Sequence, residues 1–304
     1  MYIPNKRERY GIKIYMLCES STGYLSDFIV YTGADTIYPA PDVPLPKNFL
    51  EYTNPSKVVL SLMTGYYNKG YNLALDNLYT SPELLKALYK NGTDAYGNLR
   101  KNEGLPEDFW QWNPVKGVGE PAEVKYCDKT YMVMRWNDAY KTKKKKVVSM
   151  LSTKHTAQIQ ETEKLHHSTK QPIRKPDVIV EYNKTMGGID NLSRVIVPYA
   201  LARKGVKWYR KLAEVFMDFC IYNAYVIWKQ LNESKKTHYD FREQLVNAII
   251  MHHLHDEGPK GPGGYTPKVK QTTIDNPLRL KGKHFSEFIP IQPPDTKRKR
   301  KKCH

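Results

Sequence analysis

The 304-residue sequence predicts an α/β fold carrying a β-rich insertion. Three observations support this. Residues 1–92 read as strand, strand, helix, strand, helix, an order that fits neither a bundle nor a sandwich. Residues 93–167 change character, with short strand-like pieces, several turns and a lysine run. Residues 168–256 return to long apolar segments, after which 257–304 are rich in Pro, Gly and Lys and read as a disordered basic linker.

The elements come in order. GIKIYMLCE (11–19) and LSDFIVYTG (25–33) are β-branched and aromatic, and the Ser/Thr/Gly turn between them predicts a hairpin. The proline-rich stretch 38–55 predicts a loop. SKVVLSLMTGYY (56–67) predicts a helix capped by Ser56. YNLALD predicts a short strand ending at Asp76. Ser81 and Pro82 predict the cap and first residue of a second helix. VVSMLST (147–153) is a strand candidate in the insertion. VIVEY (178–182) reads as strand-like and leads into a Gly187–Gly188 turn. A long helix over 208–231 and an amphipathic one over 240–254 complete the order.

Composition bounds the function. Apolar residues make up 40% of the chain, enough for a core, and 48 Lys+Arg against 31 Asp+Glu leave a charge of +17. That excess favours a polyanionic partner, most often nucleic acid. Cys18, Cys127, Cys220 and Cys303 are scattered without CxxC spacing, which argues against a disulfide framework and for a reducing compartment. The charged N-terminus has no apolar signal core. The most apolar stretch, 212–228, contains Glu214 and Asp218 and falls short of the ~20 residues a membrane span needs, so it reads as a buried helix.

Two acids stand where elements end. Asp76 closes a strand, and Asp190 comes after the glycine pair in TMGGIDNLSR. Carboxylates there suit Mg²⁺, and two such ions can clamp the attacking and leaving oxygens of phosphoryl transfer, given at least three carboxylates. Each acid also has a plainer reading, Asp190 as a helix cap and Asp76 as a turn cap. His166–His167 and the group His252, His253 and His255 lack partners at zinc-like spacing. No phosphate-binding glycine loop and no serine nucleophile elbow is present.

The residues also resemble a family. YIPNK (2–6), YGIKIYMLCESSTGYLSDFIVYTG, LDNLYTSPELLKALY (75–89), GNLRKNEGLP (97–106), KPDVIVEYNKTMGGID (175–190) and RKGVKWYRKLAEVFMDFCIYNAYVIW (203–228) resemble the piggyBac transposases, in the family's order. The resemblance implies an RNase H-like mixed sheet with flanking helices, interrupted by an insertion. It implies DNA cleavage and strand transfer at TTAA sites by a two-Mg²⁺ mechanism built on three aspartates. The second and third of these fall on Asp76 and Asp190.

Three departures accompany it. The family's first aspartate lies on the first strand, just upstream of YIPNK, so both are expected to be absent from these residues. Many members carry an acid where this chain has Ser193. The family's cysteine-rich zinc module would begin near Cys303–His304, so its zinc is not expected here. With two carboxylates for two dications, the polypeptide is expected to be inactive, and a domesticated, non-catalytic nuclear DNA-binding or scaffold protein is the alternative. Lys143, Lys144, Lys145, Lys146, Arg203, Lys204 and Lys207 are candidate DNA contacts, with a solvated loop as the other reading of the lysine run. Trp110 and Trp112 could stack on an extruded base. KRKRKK (297–302) fits a nuclear import signal or a DNA-touching linker. The partners implied are DNA, both transposon ends and target, with a homodimer allowed and no membrane.

Overall fold

A computed structural model describes residues 11–101, 104–111, 123–127, 130–137, 147–156, 158–165, 170–201 and 207–255. The chain divides into a unit of Met1–Leu245 and a second of Val246–His304. The first holds all the sheets. No described helix is long and apolar enough to cross a membrane.

The expected hairpin forms from β1 (Ile14–Cys18) and β2 (Leu25–Val30), antiparallel, with Ile14 opposite Val30. Its turn needs Gly23, which sits at φ +77°. A Cβ there would lie 2.9 Å from Tyr222 Oη and 3.0 Å from the Gly188 carbonyl oxygen, so a side chain is excluded by space as well as by backbone conformation.

The helix expected to begin at Ser56 begins two residues earlier. α1 spans Asn54–Leu62, with Thr53 as N-cap and Pro55 in the first turn. Proline's fixed φ suits that position, and Ser56 is buried inside the helix, its hydroxyl 3.1 Å from Thr53 Oγ1. α2 (Pro82–Lys90) is capped as predicted: Ser81 Oγ accepts the Leu84 amide at 3.3 Å.

Between these helices lies β3 (Asn72–Leu75), parallel to β4 (Asp94–Asn98) with α2 as the crossover. Beyond β4 the sheet continues antiparallel through β7 (Val147–Ser152), β6 (Tyr131–Asn137) and β5 (Glu123–Cys127), in the order β3-β4-β7-β6-β5. The sheet is therefore mixed, and it runs across the sequence boundary read at 92/93. β8 (Ile159–Leu165) and β9 (Pro172–Pro176) form a separate hairpin.

One element differs in kind. The strand-like VIVEY lies in a helix, α4 (Asp177–Thr185), succeeded at once by α5 (Gly188–Ile196). A five-residue apolar run has no period of its own, and tertiary packing decides it. Here Val178, Ile179 and Tyr182 bury one helical stripe against Tyr96, Met134 and Trp136 of the sheet.

Three apolar clusters hold the unit. One joins α1, α2 and one face of β3 and β4, and Leu60, Leu84, Leu85 and Leu88 in it have no exposed surface. Each such side chain contributes about 1.5–3 kcal/mol on leaving water. The second lies under α4. The third packs the β1–β2 hairpin against α5 and α6 (Trp208–Leu231).

The buried helix expected over 212–228 is half-buried. Phe219, Tyr222, Tyr225 and Val226 face the hairpin, whereas Met217 and Ile227 are exposed. Asp218 is buried and satisfied, accepting from Arg242 Nη1 at 3.1 Å and from the Leu201 amide at 2.9 Å. α7 (His238–His255) is helical as expected, but it shows no amphipathic stripe, for Val246, Ile249 and Ile250 are exposed.

Candidate functional site

A cavity of about 1250 Å³ opens in the first unit. It is lined by the length of β1, the length of β3, α1, the α4–α5 region and Val226, Ile227 and Gln230 of α6. Four carboxylates line it: Glu19, Asp76, Glu181 and Asp190. They divide into two pairs by what surrounds them.

Glu19 and Glu181 are consumed by the protein. Glu19 ends β1, and its two oxygens take the Ser21 amide (3.0 Å), the Ser21 hydroxyl (2.7 Å), the Thr22 amide (2.7 Å) and the Thr22 hydroxyl. Burial opposes ionisation, but these hydrogen bonds outweigh it and hold the carboxyl down to about 2. Both oxygens are engaged in shaping the hairpin turn, so Glu19 is no substitute for a metal ligand.

Glu181 sits on α4. It accepts from Lys154 Nζ at 2.6 Å and from His155 Nε2 at 2.8 Å. Burial pushes its carboxyl up, and the two donors overcome that to bring it below the ordinary value. His155 Nδ1 lies 2.8 Å from Ser152 Oγ. The Ser152–His155–Glu181 chain has the order of a nucleophilic triad. Ser152, however, is wholly buried, and its oxygen accepts the Lys154 and His155 amides, so the chain is a strut tying α4 to β7. The sequence gives no spacing cue for it, because the partners lie 26 to 29 positions apart.

Asp76 and Asp190 are left open. Asp76 comes directly after the last residue of β3; its carbonyl, not its side chain, organises the turn by accepting the Tyr79 amide (3.0 Å) and the Thr80 hydroxyl (3.1 Å). The turn-cap reading of its carboxylate is thereby corrected. That carboxylate is exposed and has no hydrogen bond or ion pair among the described residues. Its charge reaches two phenols of the cavity wall. Burial pushes Tyr79 up to about 12, with Tyr15 and Asp76 adding to the effect, and it does the same to Tyr182, with Asp76 second.

Asp190 is likewise exposed and unpaired among the described residues. The helix-cap reading does not hold: the N-cap of α5 is Gly187 and no side chain caps it. Asp190 occupies the third helical position, where a negative charge complements the helix dipole without being fixed by it. Gly188 explains the glycine pair. A Cβ there would meet the Glu19 carbonyl oxygen at 3.0 Å, so a side chain would push α5 off the end of β1.

The two acids taken from the sequence thus line one cavity. Among the described residues, no three His, Cys, Asp or Glu are grouped to hold a metal ion. Of the candidate DNA contacts, Lys207 is described: it is exposed at the N-cap of α6. Lys143–Lys146, Arg203, Lys204, His166–His167, Trp112, the 297–302 tail and Cys303–His304 lie outside the described residues. Trp110 is no free stacking platform. It packs on the first core cluster and its carbonyl accepts Arg135 Nη1 at 2.6 Å.

Comparison with known proteins agrees with this architecture. The Transposase IS4 family matches residues 1–225. Human PiggyBac transposable element-derived protein 3 is 24% identical over 286 residues, covering 90% of this chain and 44% of the relative. Human PiggyBac transposable element-derived protein 2 is 24% identical over 230 residues, 72% of this chain and 36% of the relative. The chain thus spans less than half the length of either curated relative. A cryo-EM structure of a piggyBac transposase synaptic complex with hairpin DNA superposes with a TM-score of 0.64 at 24% identity, covering 86% of this chain and 51% of that one. The chain belongs to the Transposase IS4 family and is a piggyBac transposase-derived protein.

Proposed function

We propose that the chain is a DDE-type, RNase H-like transposase domain that binds DNA, keeps the positions of two ancestral Mg²⁺ ligands, and does not cleave DNA as a 304-residue polypeptide. The observation that carries this is the contrast within the cavity. Asp76 and Asp190 are exposed and unpartnered among the described residues, while Glu19 and Glu181 are hydrogen-bonded by their own neighbours. Two carboxylates are too few to position the two dications of an in-line displacement. The ancestral reaction on this reading is hydrolysis at transposon ends and then strand transfer into TTAA.

DNA binding is supported by the charge of +17 and by the DNA in the complex whose fold this chain shares. Its affinity falls as salt rises, since phosphate neutralisation releases counterions. The tail Lys297–Lys302 directs nuclear import, and deleting it shifts a fluorescent fusion out of the nucleus.

A nicking assay on TTAA-flanked DNA with Mg²⁺ tests the catalytic part. The expected result is no cleavage above that of Asp190→Ala. Robust Mg²⁺-dependent cleavage that vanishes in Asp190→Ala would overturn it.

A further inference from the structure

His238 opens α7, and its ring is buried without a hydrogen bond. The residue is 4% exposed, and neither Nδ1 nor Nε2 has a partner among the described residues. Aromatic packing surrounds it instead. Tyr199 of the short 3-10 helix Val197–Tyr199, and Tyr222 and Tyr225 of α6, place their ring centroids 5.7, 6.0 and 5.2 Å away. Two of their hydroxyls are turned to other work: Tyr222 donates to the Thr22 carbonyl and Tyr225 to the Lys236 carbonyl. The charged groups that face the ring are Arg242, one turn along α7, and Asp218 of α6. Both Asp218 oxygens are engaged, one by Arg242 Nη1 and the other by the Leu201 amide.

We propose that His238 is an acid-sensitive latch: neutral, it seats the first two turns of α7 on α6, and protonated, it releases them. The neutral ring packs among tyrosines as one more aromatic side chain. It already carries one N–H that no acceptor meets. Protonation adds a second such N–H and a full charge, in a place that water does not reach and where Arg242 is already positive. A buried charge without a hydrogen-bonded partner is among the costliest groups a fold can hold.

The direction of the switch follows. Burial pushes the imidazole below its ordinary value of 6.5, the Arg242 charge adds to this, and Asp218 opposes it. Detached, the same histidine takes its proton near 6.5, so the detached form binds more protons. The seat is therefore whole above about pH 6.5 and weakens as pH falls below it. Little else holds these turns down. Phe241 packs on Tyr225 and Trp228, with centroids 5.7 and 5.4 Å apart, and Arg242 bonds Asp218. Both contacts lie on the turn next to His238, so they part with it.

The test is hydrogen exchange on the full 304-residue protein at pH 7.5 and 5.5, corrected for the intrinsic effect of pH on amide exchange. The expected result is that protection over residues 241–245 falls about 10-fold at pH 5.5, because a detached histidine is then protonated about ten to one. Protection in β6 and β7 should stay unchanged. His238→Phe keeps an aromatic ring and removes both nitrogens, so its protection over 241–245 should be the same at the two pH values. Nuclear magnetic resonance of the ring in the unmutated protein gives a second reading that does not depend on the variant folding: His238 should stay neutral at pH 6.5. Protection over 241–245 that does not change with pH overturns the proposal, as does an equal loss in His238→Phe. A loss shared by β6 and β7 overturns it in favour of global unfolding. Proton uptake by His238 at or above pH 6.5 overturns it as well.

Discussion

The turn after β1 and the turn after β3 both carry an acid at the strand's end, and both acids line the same cavity. Glu19 is wrapped by Ser21 and Thr22, while Asp76 keeps its carboxylate free and lets its backbone carbonyl hold the turn. The difference lies in the residues immediately C-terminal to each acid. In the SST after Glu19, Ser21 and Thr22 present two hydroxyls and two amides, which is the donor set a carboxylate needs to close on its own loop. After Asp76, NLYT places its one aliphatic hydroxyl, Thr80, four residues on, where it bonds the carbonyl instead. A carboxylate satisfied by its own turn is structural; one left open at the end of a strand is available to a ligand.

The largest test concerns the packing that holds the Asp76 turn in place. Gly97 pairs with Leu75, and a Cβ on it would lie 2.3 Å from Thr80 Oγ1 and 2.5 Å from the Leu75 carbonyl oxygen. Backbone cannot yield as a side chain can, so Gly97→Ala should cost about 3 kcal/mol or more, read by denaturant unfolding. It should also disturb exchange at the end of β3 more than at the β1 turn.

Gly23→Ala makes the matching change on the other side. Positive φ together with contacts at 2.9 and 3.0 Å should cost about 2 kcal/mol. Tyr222, whose hydroxyl donates to the Thr22 carbonyl at 2.6 Å, should show the shift in near-UV spectra.

Acid should separate the two turns next. The Glu19 carboxyl sits at about 2 in the folded chain against an ordinary value of 4.5. Its contribution is therefore full above about pH 4.5 and is lost as pH falls toward 2; exposure to solvent limits it to about 1 kcal/mol. Glu19→Gln should flatten that part of the stability–pH curve.

The smallest effect should come from the open pair. Asp76→Asn and Asp190→Asn remove no protein contact and should change stability by less than about 0.5 kcal/mol. A loss near that of Gly23→Ala would show that these acids are structural and would erase the contrast.

Local chemistry made much of this readable in advance. Ser81–Pro82 announces a helix start because the cap and fixed φ act within two residues. The Ser/Thr/Gly turn announces the hairpin for the same reason. The helix over 208–231 is long enough that its period survives whatever it packs against. VIVEY failed because five apolar residues satisfy a strand and a helical stripe alike, and only the sheet beneath chose. Ser56 failed because a nearby Thr–Asn–Pro offered an earlier start. Trp110 looked available because no sequence cue shows Arg135 lying against it.

The sequence by itself determined the family, the α/β order, the basic charge and the two acids at element ends, since each depends on residue types in fixed local order. Tertiary structure alone decided which carboxylates are spent and which are open, because that depends on partners such as Lys154 and His155, which are 27 and 26 positions from Glu181. It alone also set β1 and β3 along one cavity, since those strands are not adjacent in the chain.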